Sequence, residues 1–154
     1  MTSKKIVMLT GESQSSIYMY NGLKNDVQIS TVLVEGKGGR KKFIQRRIKK
    51  LGLLKVLGQI CFQVSIPKLL EKTSQNRIEQ IKSIYKLDNT PIPVSILKKV
   101  DSVNSDECID FIKNENPDLI IVNGTRIIST KVLNCTSAIF INTHAGITPK
   151  YRGV

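Results

Sequence analysis

An asparagine and a histidine stand two residues apart at the end of an apolar run. Ile139, Phe140 and Ile141 lead into Asn142 and His144, and His144 is the single histidine of the 154 residues. Side chains at i and i+2 of an extended segment project to the same side. A carboxamide and an imidazole placed this way can bind one oxygen that gains negative charge, as in acyl transfer, and an imidazole can move a proton. A lone histidine can equally be a structural residue.

A turn near the amino end offers a second place for a ligand. Gly11, Glu12 and Ser13 follow the apolar run 5–9, and backbone N–H groups at the start of a helix attract anions. The turn lacks both G-x-G-x-x-G and the lysine of a phosphate-binding loop, so dinucleotide binding is not predicted. Either this is an ordinary turn with serine caps, or it holds part of an acceptor substrate.

A third candidate is the loop that follows the apolar run 118–122. Gly124 permits a tight turn, and Arg126 precedes Ile127 and Ile128. The backbone of an apolar loop can hydrogen-bond a flat heterocycle while the isoleucines cover its faces. The alternative is that both isoleucines pack beneath the loop.

Composition limits the remaining possibilities. The three cysteines, Cys61, Cys108 and Cys135, are widely spaced, which predicts neither a disulfide framework nor a metal site. We expect no transmembrane segment and no signal peptide, because the apolar runs are short. A reducing, cytoplasmic location is therefore expected.

Alternating apolar runs and helical patterns predict an α/β fold with an open, Rossmann-like and mostly parallel sheet. Strands are predicted at 5–9, 27–34, 93–97, 118–122 and 138–142. Helices are predicted from Ser13 or Ser15 to Leu23, from Asn104 or Ser105 to about residue 116, and at 130–133.

A basic helical insertion is predicted at about 36–86. Residues 36–70 hold ten lysines and arginines and no acidic residue, whereas the rest of the chain has 14 basic and 12 acidic residues. Helical spacing runs from 40 to about 64, Pro67 interrupts it, and a further helix is predicted at 76–86. The cations could form a solvated helix face, bind nucleic acid, or lie on an anionic membrane.

The segment 142–153, N-T-H-A-G-I-T-P-K-Y-R-G, resembles the N-x-H-x-(S/G)-x-x-P-x-(Y/W)-x-G signature of the folate-dependent formyltransferases. The stretch 124–129 is similar to the folate-binding loop of that family. The resemblance covers 93–154 well and 1–35 loosely, and it leaves out the insertion.

The resemblance implies transfer of a formyl group from 10-formyltetrahydrofolate to an amine. It implies that Asn142 and His144 bind the formyl oxygen and handle the proton, and that Gly124, Arg126, Ile127 and Ile128 line the pterin pocket. The acceptor would be a small amine, for example a sugar nucleotide, and transfer RNA bound through the insertion is less favoured. The alternatives are a formyltetrahydrofolate hydrolase and a non-catalytic basic module.

The chain departs from the family pattern in one respect. The family's third catalytic residue is an aspartate some tens of residues after the histidine, and the sequence stops at Val154. We therefore expect residues 1–154 to be an incomplete catalytic domain that lacks its later strands and is inactive alone.

Overall fold

The computed structural model describes residues 4–36 and 40–143, without the side chains of residues 40–43. Five strands form one open, all-parallel sheet in the order β3-β2-β1-β4-β5. The strands are β1 (Ile6–Gly11), β2 (Ile29–Glu35), β3 (Leu97–Val100), β4 (Leu119–Asn123) and β5 (Ile139–Asn142). The predicted α/β class with a parallel sheet is confirmed.

The helices are α1 (Gln14–Leu23), α2 (Arg40–Leu51), α3 (Leu53–Ile84), α4 (Asp106–Glu115) and α5 (Thr130–Leu133). The chain divides into two compact units. One unit consists of residues 1–37 and 88–154, and the other of Gly38–Leu87. The sheet with α1, α4 and α5 makes the first unit, and α2 and α3 make the second.

Each face of the sheet has its own apolar core, because successive side chains of a strand point to opposite faces. Val7 and Leu9 of β1 pack with Cys108 and Ile112 of α4. Met8 packs in the other cluster, which includes Tyr20 of α1. Both faces are therefore covered at the centre of the sheet, as a parallel sheet requires.

The third strand lies later in the chain than predicted. Val94–Ile96 form one 3-10 turn, and β3 begins at Leu97. Pro91 and Pro93 lack the N–H groups that a strand needs. Strand β3 does not form an apolar run, because it contains the exposed Lys98 and Lys99. Two lysines are tolerated there because β3 is an edge strand.

The predicted interruption at Pro67 is wrong. Helix α3 runs through Pro67, because a helix can bend at a proline without ending there. The break lies instead at Gly52, whose φ of 84° is open to glycine and unfavourable for other residues. Among the described helices, α3 is long and apolar enough to cross a membrane by length and composition alone. The expectation that the chain has no transmembrane segment is not tested by length and composition alone, and it stays a prediction.

The three cysteines lie in different surroundings, which gives a test of the core. Cys61 is exposed, Cys135 is partly buried and Cys108 is buried. Burial raises the pKa of the Cys108 thiol to about 11, so this thiol stays protonated at neutral pH and reacts slowly. We expect iodoacetamide to modify Cys61 first and Cys108 only after denaturation, as read by peptide mass spectrometry. Rapid native labelling of Cys108 would contradict this packing.

The same pKa shift predicts how stability changes in alkali. The pKa of the Cys108 thiol is higher in the folded protein than in the unfolded chain. The protonated thiol therefore makes its full contribution to the free energy of unfolding below about pH 8.5, and this contribution is lost as the pH rises toward 11. We expect Cys108→Ser to reduce this alkaline loss in urea titrations at several pH values. An unchanged pH dependence would show that Cys108 is not its source.

Candidate functional site

The central strands β1 and β4 carry connections that leave toward opposite sides of the sheet. In open α/β sheets, ligands bind in the crevice outside the carboxyl ends of the strands at this point. Thr10 of β1 pairs in register with Asn123 of β4, and the next residues are Gly11 and Gly124. The predicted ligand turns at 11–13 and 124–129 therefore leave neighbouring strands.

Gly11 and Gly124 approach each other closely. A Cβ atom added to Gly11 would lie 2.3 Å from the carbonyl oxygen of Gly124, and Gly124 has a φ of 64°. Neither position accepts a side chain easily, for steric reasons at Gly11 and for conformational reasons at Gly124. The close approach of the two turns depends on both glycines.

We expect Gly11→Ala to destabilise the protein by about 2–3 kcal/mol, because a backbone carbonyl must move to admit the methyl group. Gly22→Ala is the matched control: Gly22 lies in α1 with nothing within 4 Å of an added Cβ. That change should stabilise the protein by about 0.5–1 kcal/mol. Urea unfolding measures both, and shifts of the same sign would contradict the close approach.

A buried carboxylate holds the second turn in place. Glu35, at the end of β2, accepts hydrogen bonds from the backbone N–H of Val103 at 2.9 Å and of Arg126 at 3.0 Å. Its Oε1 also lies 2.5 Å from Nε of Arg126. The side chain of Glu35 is 7% exposed and that of Arg126 is 42% exposed. We call these contacts the Glu35 bridge.

The Glu35 bridge passes over the end of β1, because β1 lies between β2 and β4. The guanidinium of Arg126 is engaged in this bridge, and its NH2 also donates to the carbonyl of Asp101 at 3.5 Å. Arg126 thus positions the loop in the structure. A direct contact of its guanidinium with a ligand would have to coexist with the bridge.

Asn104 holds the far end of the same loop. Its Nδ2 donates to the carbonyl of Ile127 at 2.9 Å, and its Oδ1 accepts from the backbone N–H of Ser129 at 2.8 Å. Asn104 was predicted as one of two caps of α4. The cap is Ser105, whose side chain accepts from the N–H of Cys108.

The two isoleucines of the loop have different surroundings. Ile127 is 93% exposed, while Ile128 packs against the core cluster of Val7 and Leu9. No described residue accepts a hydrogen bond from the N–H of either isoleucine. The loop therefore presents one free apolar side chain and two backbone donors on a backbone fixed by Glu35 and Asn104.

Asn142 ends β5 in register with Val122 and is exposed. It lies at the same edge of the sheet as Gly124, which follows the neighbouring strand. His144, the other predicted catalytic residue, lies outside the described residues. Whether the two side chains share a face thus stays a prediction.

Asn123, the last residue of β4, has a buried side-chain amide. Its Oδ1 accepts from Thr143 Oγ1 at 2.8 Å, but its Nδ2 is buried and has no hydrogen-bond partner among the described residues. Buried polar groups are normally paired. The Nδ2 donor therefore lacks an acceptor among the described residues, and it has no accessible surface through which a ligand could supply one.

A cavity of about 370 Å³ adjoins the first turn. Glu12, Ser13 and Gln14 form its polar walls, and Lys99 adds a cation. Apolar walls come from β2, from β3 and from the segment just before β3. This volume lies in the range of small-molecule sites. The predicted substrate turn 11–13 thus borders a cavity.

The wall of this cavity is anchored to α1. Asn21 Nδ2 donates to the carbonyl oxygens of Asp88 and Thr90 at 2.9 and 2.8 Å. Lys24, which donates to Asp88 at 2.8 Å, is the main cause that holds the pKa of the Asp88 carboxyl well below its usual range. These contacts place Pro91 and Ile92 beside the turn.

Glu35, Asn104 and Asn123 were not predicted from the sequence as parts of the site. Glu35 and Asn123 each end a buried apolar strand, and polar residues at that position often serve a site in parallel sheets. That signal was available for both. Asn104 carried no such signal, because a residue before a helix is expected to cap it.

The chain is similar in part to a methionyl-tRNA formyltransferase from Thermotoga sp. (strain RQ2). The two are 35% identical over 75 residues, which cover 44% of this chain and 24% of the relative. The match thus spans about a quarter of the relative's length. No protein-family profile matches the chain, and no solved structure matches it. The comparison therefore suggests the formyltransferase family and goes no further.

Proposed function

We propose that the chain carries the folate-binding and oxyanion-binding part of a formyltransferase that acts on an amine. The observation that carries the proposal is the loop 124–129, which Glu35 and Asn104 fix at the same carboxyl edge of the sheet at which Asn142 ends β5. The partial similarity to a formyltransferase supports the same reaction class.

The described residues fit a flat heterocycle with polar edges. Ile127 offers an exposed apolar side chain, and the N–H groups of Ile127 and Ile128 have no acceptor among the described residues. An apolar surface with a few fixed polar groups is typical of sites that bind such ligands.

When bound, 10-formyltetrahydrofolate supplies a formyl group that passes to the amine nitrogen, while a proton leaves that nitrogen and the folate nitrogen gains one. Asn142 donates an amide N–H to the formyl oxygen as negative charge develops there. His144 donates to the same oxygen or carries the proton between the two nitrogens. Glu35 and Asn104 act by keeping the loop in position.

The cavity beside Gly11–Ser13 is the proposed acceptor site. Lys99 and the N–H groups at the start of α1 both favour an anionic group. Glu12, another residue of the wall, would favour the amine. These features fit an acceptor that carries both an amine and a phosphate. Because the cavity of about 370 Å³ has the size of a small-molecule site, we rank an amino-sugar nucleotide above transfer RNA.

The test is an assay of the natural protein that carries this chain, with 10-formyltetrahydrofolate and separate acceptors: amino-sugar nucleotides, other phosphorylated amines, and methionyl-tRNA. We expect tetrahydrofolate release that requires an amine, with the formyl group recovered on that amine by mass spectrometry. Release without an amine would identify a hydrolase. Absence of release with every acceptor would contradict the proposed reaction.

A further inference from the structure

The unit Gly38–Leu87 combines many cations with exposed apolar side chains. Three cations of α2, Arg46, Lys49 and Lys50, are exposed and lie within one turn of each other. Lys55 and Lys68 of α3 are exposed as well. The proposed formyl transfer uses none of these residues, so the unit needs a separate explanation.

The first half of α3 has an apolar face that no described residue covers. Leu54, Leu57, Cys61 and Val64 follow i, i+3, i+7 and i+10 spacing, which places them on one side of a helix, and all four are exposed. Val56 is the single buried residue recorded for α3. An exposed apolar stripe of this length indicates an interaction surface.

The positive charge of residues 36–70 limits which classes of molecule can bind this unit. Residues 36–70 contain ten lysines and arginines and no acidic residue, so the partner must be anionic. Nucleic acid would explain the cations but not Leu54 (85% exposed) or Phe62 (64% exposed). An anionic lipid surface explains both, because it attracts cations to its headgroups and buries apolar side chains beneath them.

The chain connections determine how α3 can meet a bilayer. Strands β2 and β3, which flank the unit in the sequence, pair side by side in one sheet. A single crossing by α3 would leave them on opposite sides, unless residues 85–96 crossed back. The only helical turn in those residues is the 3-10 turn Val94–Ile96, which is far too short to span a bilayer, and irregular backbone does not cross lipid. Helix α3 must therefore lie along the surface.

We propose that residues 40–70 form a peripheral membrane-binding element for anionic lipid. In this arrangement the stripe from Leu54 to Val64 enters the headgroup region, and Arg46, Lys49 and Lys50 contact lipid phosphates and carboxylates.

The experiment is vesicle flotation of the natural protein that carries this chain. Vesicles of phosphatidylcholine alone are compared with vesicles that also contain phosphatidylserine. We expect binding only with phosphatidylserine, and we expect an alkaline carbonate wash to release the protein, as it does peripheral proteins. Resistance to that wash would show a spanning helix and overturn the proposed geometry.

Two variants separate the contributions of charge and apolar contact. The triple change Arg46→Gln, Lys49→Gln and Lys50→Gln should weaken binding to anionic vesicles by about tenfold or more. The double change Leu54→Gln and Leu57→Gln, both on the stripe, should also weaken it about tenfold or more while the cations remain. Both sets change exposed side chains, and circular dichroism checks that the helices persist.

The matched control removes three exposed cations of the other unit, through Lys4→Gln, Lys98→Gln and Lys113→Gln, and should leave vesicle binding nearly unchanged. An equal loss in this control would show that net charge alone is responsible. If the apolar double variant still binds vesicles fully, or if the protein binds RNA and no vesicle, the unit is a polyanion-binding surface and the proposal fails.

Discussion

Replacing Glu35 by alanine is expected to destabilise the protein by about 3 kcal/mol and to release the loop 124–129. The carboxylate accepts from two backbone N–H groups and from the Arg126 guanidinium. Val103 is fully buried, so its N–H would lose its acceptor without gaining water. Hydrogen bonds to charged groups contribute about 1.5–3 kcal/mol each, and a buried unpaired donor costs about 1–3 kcal/mol.

Glu35→Gln should be destabilising as well, although it keeps the shape. Both carboxylate oxygens accept hydrogen bonds, so an amide would place its NH2 group against an N–H donor. Replacing one acceptor oxygen by an NH2 donor is therefore enough to disturb the structure at this position.

Urea unfolding measures the stability, and limited trypsin digestion measures the loop. The bond after Arg126 should be cleaved faster in Glu35→Ala than in the unchanged protein. Asp106→Asn is the control, because the pair of Asp106 with Lys131 is exposed on both sides, and exposed pairs contribute little. If Glu35→Ala behaved like this control, the Glu35 bridge would not hold the loop.

Replacing Asn142 by alanine is expected to lower kcat for formyl transfer by about 10²–10³, the effect of removing one oxyanion donor. Asn142→Asp should lower kcat at least as much, because a carboxylate repels the charge that develops on the formyl oxygen. KM for the folate should change little, since the amide acts mainly after binding.

Asn114→Ala is the control for Asn142→Ala, because Asn114 is exposed on α4 and should leave kcat unchanged. Steady-state kinetics with the acceptor identified above separates kcat from KM. A loss of less than about tenfold in kcat would remove Asn142 from the oxyanion role. A rise in KM alone would assign it to binding.

Sequence patterns predicted the fold class well because buried parallel strands are continuous apolar runs. The runs at β1, β2, β4 and β5 match the strands within about two residues at each end. The pattern failed at β3, where Lys98 and Lys99 occupy an edge strand, and at Pro67, where local preference did not end the helix. In both cases the surroundings outweighed the preference of the residue.

The site was predicted unevenly. Turns 11–13 and 124–129 follow strands, so their place at the carboxyl edge could be predicted from the alternation of elements. The Glu35 bridge could not, because it joins residues 91 positions apart and no local pattern links them. The close approach of Gly11 and Gly124 was hidden for the same reason, since it depends on the order of strands in the sheet.

The strand order has a consequence for how the chain is made. Strand β1 pairs with β2 soon after both emerge from the ribosome, but its other partner, β4, starts 108 residues after Gly11. At about 5–20 residues per second, one edge of β1 stays unpaired for roughly 5 to 20 seconds. Unit Gly38–Leu87 accounts for 50 of those 108 residues. This unit therefore nearly doubles the time during which the growing chain can aggregate.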